Sequence, residues 1–257
     1  MIAPLFWQLM RKDLRQFRRL YKGKFFDTCF LFFTNIVVFG YFMPLMGVPA
    51  TYGSFILVGA IASFGLFDTI GQVGELIFDI EGDRTITFKL AMPVPYWIVF
   101  GQLAIKWAVH NFLLCIPLFF IGKLILWDGF SLRQIDLFKL LLIFPSICLF
   151  FGSFSLWLTA MIKRIDSISS LFLRFINPVF MFGGYFFTWK DAYELSPYIA
   201  YVLRCNPMLY VFEGMRAACL GGEGYLPFWT SFFSLWGFII LLGGFALKAL
   251  RKRLDCV

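Results

Sequence analysis

Four ionisable side chains lie within long apolar runs of this sequence: Asp68, Lys106, His110 and Arg174. A charge inside a lipid bilayer costs free energy, so such residues are generally kept for a function or neutralised by a partner. All four could line a polar route across the membrane. Alternatively, Asp68, Lys106 and Arg174 could pair with one another inside a helix bundle. Asp68 and His110 could also act as the acid and base of a membrane enzyme. Because His110 is the only histidine, metal sites built on several histidines are excluded.

A polar stretch at residues 75–95 separates two of the apolar runs. Gly82 and Asp83 can end one helix and cap the next, and Ile86 and Leu90 lie one turn apart on the same helix face. Prolines near the end of the stretch stop the helix. The pattern predicts a short amphipathic helix at 82–95, held outside the membrane between two spans. An ordinary loop is the alternative on shape alone.

The residues of this segment resemble the cytosolic coupling helix of type-2 ABC exporter permeases, the ABC-2 type transporter family. The match consists of Arg84-Thr85-Ile86, then Leu90, then Pro93-Val94, while Thr87 and Met92 differ from the residues usual in that family. The resemblance implies that the segment contacts an ATPase through six residues: Asp83, Arg84, Thr85, Ile86, Phe88 and Leu90. Replacing Ile86 and Leu90 by aspartate is therefore expected to uncouple transport.

A second motif precedes the last apolar run and resembles the same family. It comprises Asn206-Pro207, Tyr210 three residues after the proline, and then Arg216 and Gly221. With Pro93, these residues are expected to have structural roles. Taken with the order of the spans and an N-terminal amphipathic helix, the resemblance covers essentially the whole chain.

The sequence has no Gly-x-x-x-x-Gly-Lys-[Ser/Thr] phosphate-binding loop. No catalytic residue and no cofactor site is therefore expected on this chain. The resemblance implies that ATP and Mg²⁺ bind to a separate ABC ATPase subunit. It also implies a complex of two permeases and two ATPases, with the translocation path between the permease copies.

Composition indicates a membrane protein, because 60% of the residues are hydrophobic and only 15% are charged. Soluble domains carry about 25% charged residues. Runs of about twenty apolar residues are long enough to cross a bilayer as helices, and they lack the period of two that a β-barrel requires. The net charge of +8 does not indicate a nucleic-acid partner, because the basic residues flank the apolar runs.

We predict an all-α membrane protein with one transmembrane domain over residues 1–257. An amphipathic helix at 4–22 is expected in the cytosolic interface, because apolar residues recur there every three or four positions. Basic residues concentrate before the first span and after the last, so both termini are expected in the cytosol. The resemblance implies the inner membrane of a bacterium. Six spans are predicted: 26–46, 54–78, 97–122, 140–162, 167–187 and 226–247.

Residues 188–224 are too polar for a span and too apolar for a free loop. The pair Asn206-Pro207 divides them into two short helices, predicted at 191–203 and 207–220. We expect a broken helical hairpin that enters the outer leaflet; two helices lying on the external surface are the alternative. The six cysteines form no Cys-x-x-Cys pair and indicate neither a disulfide framework nor a zinc site.

The predicted function is the permease subunit of an ATP-driven exporter. A lipid-linked glycan, a lipid or a drug-like amphiphile is the expected substrate. The aromatic content of 21% fits either sugar stacking in a channel or phenylalanines facing lipid. An enzyme acting on lipids, active without ATP, and a passive channel, conducting without a nucleotide-binding partner, are the two alternatives.

Overall fold

The computed structural model of the protein describes residues 2–49, 51–82, 85–91, 94–127, 129–162 and 165–254. Three residues of the predicted motifs, Asp83, Arg84 and Pro93, lie outside the described residues. Helices and turns make up the described ranges, which contain no strand. The predicted all-α membrane class is confirmed, because several of the helices are apolar and long enough to cross a bilayer.

Five helical segments of the described residues have the length and composition of membrane spans. Apolar runs become helices in lipid because no water is present to satisfy the backbone, so each N–H and C=O must pair within its own segment. The five are α1 (Ile2–Val37, extended to Leu45 by a π-helical turn at Val38–Phe42 and a short turn at Met43–Leu45), α2 (Thr51–Glu81), α4 (Tyr96–Ile125), α5 (Leu137–Met161) and α10 (Phe228–Leu254).

The N-terminal amphipathic segment and the first predicted span form one continuous helix. The prediction placed a separate interfacial helix at 4–22, whereas α1 continues through Lys22 and Gly23 without a break. Nothing lies within 4 Å of a Cβ built on Gly23, and no proline is near it to interrupt the helix. Met10, Phe17 and Thr28 are buried, and α1 packs along α4.

The segment predicted as the fifth span is short. It forms α6, which covers Ile168–Met181 with a π-helical turn at Phe172–Ile176. Fourteen residues of helix are about 21 Å long, less than the roughly 30 Å of a bilayer core. Glycines end the helix early, since Gly184 adopts a φ of +86° that other residues rarely take. The six-span count therefore stays a prediction.

Three short helices precede the last span: α7 (Trp189–Leu195), α8 (Pro197–Leu203) and α9 (Pro207–Cys219). The first predicted piece, 191–203, is thus two helices, because Ser196 stands before a proline and is extended, with a ψ of 118°. The Asn206-Pro207 break falls where it was predicted. Asn206 caps α9 by accepting a hydrogen bond from the N–H of Met208 at 3.0 Å.

Buried apolar side chains form two clusters. The larger cluster lies among α2, α4, α5, α9 and α10. The smaller cluster lies at the other end of α2 and α4. It includes Ile86 of a seven-residue helix, α3 (Thr85–Ala91), which joins those two helices. The short helix α3 is therefore part of the packed structure and not a loose connection.

Four polar residues are also buried in the bundle: Thr69, Gln72, Asn111 and Ser155.

Candidate functional site

The helix α3 is held at its start by a carboxylate from α2. Asp79 accepts hydrogen bonds from the backbone N–H of Thr85 at 3.1 Å and from that of Ile86 at 2.8 Å. The first N–H groups of a helix have no partner within the helix, so one carboxylate that satisfies two of them fixes the position of α3 relative to α2. Asp79 thus links the start of α3 directly to the last turns of α2.

The two faces of α3 have different environments. Ile86 is only 4% exposed and belongs to the smaller apolar cluster, against which Leu90 also packs. Phe88 is 71% exposed, and Thr85 is exposed on the same side. Ile86 is therefore not available at the surface, and the exposed side of α3 is centred on Thr85 and Phe88. Among the predicted contact residues, Ile86 and Leu90 anchor α3 to the bundle.

A cavity of about 290 Å³ lies beside α3 and is polar on several sides. Its lining comes from four helices and carries charges of both signs. The ionisable residues among the lining are Lys12, Asp13, Glu75, Asp79, Lys89 and Lys106. This cavity separates the N-terminal part of α1 from α3, so α3 is packed firmly on its α2 and α4 side and has free volume on its α1 side.

A stripe of four polar residues runs along α2 toward α3: Asp68, Gln72, Glu75 and Asp79. Their spacings of 4, 3 and 4 residues place them on one side of the helix. Each makes a hydrogen bond or ion pair, and the partners of the four lie on α1, α3, α4 and α5. We call these four residues the polar stripe of α2.

Asp68 and Gln72, the two residues of the polar stripe farther from α3, connect α2 to three other helices. Asp68 forms an ion pair with Lys24 of α1, with 3.4 Å between Oδ1 and Nζ, and accepts a hydrogen bond of 2.6 Å from the side-chain amide of Gln72. The hydroxyl of Ser155 on α5 donates to Gln72 Oε1 at 2.7 Å. Gln72 also donates a longer bond, 3.5 Å, to Asn111 of α4.

Two further polar contacts lie nearer to α3. Lys106 of α4 forms an ion pair of 2.9 Å with Glu75. Asp13 of α1 is buried and accepts a hydrogen bond of 2.6 Å from the side-chain amide of Gln102 on α4. Buried polar groups with partners hold helices at a defined rotation and height. The polar contacts thus connect α1, α2, α4 and α5 along the half of the bundle that carries α3.

The predicted in-membrane charges do not pair with one another. Asp68 pairs with Lys24, Lys106 pairs with Glu75, and Arg174 of α6 is exposed and has no charged partner within the described ranges. The ring of His110 stacks on Phe17, with centroids 3.9 Å apart. The described contacts therefore do not form the Asp68–His110 acid–base pair that a membrane enzyme of this kind would need.

Arg216 of α9 is completely buried and bonds to the turn after α6. Its guanidinium donates to the carbonyl oxygens of Gly184 at 2.6 Å and Tyr185 at 2.7 Å, and it lies 3.5 Å from the ring centroid of Phe55 on α2. A Cβ on Gly59 would come within 3.1 Å of the same guanidinium. Gly59 thus leaves the space that Arg216 occupies.

Glu213 is a second buried charge on α9, and it is not part of the second motif. Its two carboxylate oxygens accept the backbone N–H of Trp189 at 3.2 Å and of Leu226 at 2.7 Å. Those N–H groups lie at the start of α7 and just before α10. The available signal was its position three residues before Arg216, which puts both charges on one side of a helix otherwise rich in apolar residues.

The other residues of the second motif also connect separate elements. Asn206 donates its side-chain amide to the carbonyl of Val179 on α6 at 2.8 Å. The hydroxyl of Tyr210 donates to the carbonyl of Arg204 at 2.8 Å. Gly221, just after α9, has a φ of +99°, a conformation that favours glycine. Together with Arg216, these residues fix α9 against α6 and the link before it.

The chain is similar to one described protein family. The sequence model of the family described as ABC-2 type transporter matches residues 4–220, well over half of the 257 residues. The matched range includes α3, the polar stripe of α2 and nearly all of the second motif. No curated protein sequence matches the chain.

Proposed function

Because this chain belongs to the ABC-2 type transporter family, we propose that it is the permease subunit of an ATP-driven exporter. The family consists of transporter membrane subunits that are not themselves catalytic, and it implies an ATPase partner. In the proposed complex, ATP and Mg²⁺ bind to that separate ATPase subunit. Two copies of the permease enclose the path between them.

The observation that supports this proposal is the way in which α3 is attached to the bundle. A helix of seven residues is capped by Asp79 of α2, anchored through Ile86 and exposed through Phe88. An element fixed on one side and open on the other is suited to receive a partner and to move with its supporting helices. We infer that ATPase closure displaces α3, and that α2 and α4 transmit the displacement into the bundle.

The proposed cargo is a lipid-linked glycan, a lipid or a drug-like amphiphile. Asp68 and Lys106 are each paired with a more exposed charge, Lys24 and Glu75, and a head group could follow these polar side chains on the half of the bundle that carries α3. An export assay that compares a glycolipid with hydrophobic dyes separates these substrates. The proposed location is the inner membrane of a bacterium, with both termini and α3 in the cytosol.

Substitution of Phe88 tests the proposed coupling. Phe88→Asp is expected to reduce copurification of the ATPase and ATP-dependent export at least about tenfold, the equivalent of 1.4 kcal/mol, because a charge replaces exposed apolar contact area. The permease itself should stay folded, since the side chain is exposed. Phe88→Leu keeps an apolar surface and should retain most of the coupling.

Two further variants make the outcome decisive. Tyr198→Asp changes another exposed aromatic residue, on α8, and should leave ATPase binding unchanged. Ile86→Asp places a charge in the apolar cluster and should lower the thermal stability of the permease even without a partner. Full ATPase binding and export by Phe88→Asp would refute the assignment of this face. Lipid modification by the purified permease without ATP would instead favour an enzyme, and conductance without any ATPase would favour a channel.

A further inference from the structure

One side of α1 carries a concentrated group of basic residues. Arg11, Arg15, Arg18 and Lys22 are spaced by 4, 3 and 4 residues, which places them within about 60° of one another around the helix axis. Arg19 lies beside them, and all five are exposed. We call these five residues the basic face of α1. From Arg11 to Lys22, eleven residue steps along the helix, it is about 16 Å long.

The basic face is not paired with carboxylates of the neighbouring described helices. None of its five side chains forms an ion pair with an acidic residue in the part of the chain that the structure describes. The other side of the same helix carries Met10, Asp13 and Phe17. These residues are buried, and α1 packs there against α4. Side chains of the N-terminal half of α1 line an open surface pocket of about 620 Å³, and Arg11, Arg15 and Arg19 of the basic face are among them.

The same side of α1 becomes aromatic immediately after Lys22. Phe26, Phe30 and Phe33 follow at 4, 8 and 11 residues from Lys22 and are between 51% and 72% exposed. Exposed phenylalanines on an apolar helix of this length are suited to contact acyl chains. On one continuous helix face, the change from hydrocarbon contact to charge therefore falls between Lys22 and Phe26. In a bilayer, such a transition from hydrocarbon contact to charge falls near the lipid phosphates.

We propose that the basic face of α1 binds the phosphate groups of anionic phospholipids in the adjacent membrane leaflet. Guanidinium groups suit this ligand because they bind phosphate oxygens through paired, charge-assisted hydrogen bonds. The inference does not depend on export or on an ATPase partner. It requires only that α1 crosses a bilayer at the position where its phenylalanines begin.

Lipid binding by purified permease in detergent tests the proposal. Native mass spectrometry measures the retention of phosphatidylglycerol against phosphatidylcholine, and titration gives an apparent Kd for each lipid. Arg18→Gln with Lys22→Gln should weaken phosphatidylglycerol binding about thirtyfold, since each basic residue near a membrane contributes about 1 kcal/mol. Phosphatidylcholine binding should change little.

A matched pair of substitutions supplies the control. Arg133→Gln with Lys190→Gln removes two exposed positive charges elsewhere on the chain and should leave phosphatidylglycerol binding within about twofold of the wild type. Arg18→Lys with Arg19→Lys keeps the charge and should retain most of the binding. Equal losses in the two glutamine pairs would show that net charge alone attracts the lipid and would overturn the proposal. Unchanged binding in the Arg18 and Lys22 variant would overturn it as well, and would leave the face to an acidic protein partner.

Discussion

At the scale of single residues, the two buried charges of α9 bond to backbone groups in a turn and near the starts of helices. Arg216 donates to carbonyls of the turn that follows α6, and Glu213 accepts N–H groups near the starts of α7 and α10. A buried charge without partners costs several kcal/mol, whereas one with charge-assisted hydrogen bonds is tolerated and fixes its neighbours. Arg216 and Glu213 thus hold several irregular segments to the single helix α9.

The space around Arg216 gives a prediction at this scale. Gly59→Ala is expected to destabilise the protein by about 1–3 kcal/mol, because the added methyl group would lie 3.1 Å from the guanidinium and 3.3 Å from the ring of Tyr185. The measurement is thermal unfolding in detergent. Gly71→Ala on the same helix is the control, because a Cβ there meets nothing within 4 Å. Equal melting temperatures for the two variants would contradict this account of the Arg216 pocket.

At the scale of elements, α3 depends on the helix before it. Seven residues are too few for a stable isolated helix, so α3 needs tertiary contacts to persist. Asp79 supplies the N-terminal cap, and Ile86 supplies apolar burial in the smaller cluster. Since both contacts fall on the inner side of α3, its exposed side can change or bind without unfolding the helix.

Removing the cap tests this dependence. Asp79→Ala is expected to destabilise α3 locally by about 1–2 kcal/mol, because the N–H groups of Thr85 and Ile86 both lose their acceptor. Hydrogen exchange at these two amides should accelerate about tenfold. Glu81→Ala, an exposed acidic residue at the end of α2, is the matched control and should leave both rates unchanged. If the two amides exchange as slowly in Asp79→Ala as in the wild type, the Asp79 cap does not stabilise α3.

At the scale of the whole molecule, the described helices form a bundle with two clusters of buried apolar side chains, one involving α9 and one beside α3. The short helices α9 and α3 each pack against the long helices of the bundle. Residues of α9 belong to the larger cluster, and Ile86 of α3 belongs to the smaller one. The orientation of the protein in the membrane depends on whether the α3 end or the α9 end of the bundle faces the cytosol. The concentration of basic residues near α1 and the end of α10 predicts that the α3 end does.

Native cysteines provide the test of this topology. Cys205 is exposed and lies between α8 and α9, whereas Cys115, Cys148 and Cys219 are buried. A membrane-impermeant maleimide is expected to label Cys205 from outside intact cells, and Cys205→Ser should abolish that labelling. Cys256 lies outside the described residues and is predicted to react only after the cells are permeabilised. Labelling of Cys256 in intact cells would reverse the proposed orientation.

The sequence by itself determined the class of the protein and the positions of its interruptions. Apolar runs of this length have one solution in lipid, and glycine, proline and asparagine restrict the backbone locally, so the starts of α3 and α9 were predictable to within a few residues. The 4, 3, 4 spacing of Asp68, Gln72, Glu75 and Asp79 was also visible in the sequence. It defines a face of α2 but not its partners.

Only the tertiary structure decided what those faces contact. Partners such as Lys24 for Asp68 and Ser155 for Gln72 are distant in sequence, and local spacing carries no information about which helices become neighbours. For the same reason, amphipathicity put Ile86 and Leu90 on one side of α3, and only packing showed that this side faces the bundle. Hydropathy measures the length of an apolar segment but not where a helix stops. It therefore did not show that α1 is continuous, or that α6 ends early, before a turn in which Gly184 has a positive φ.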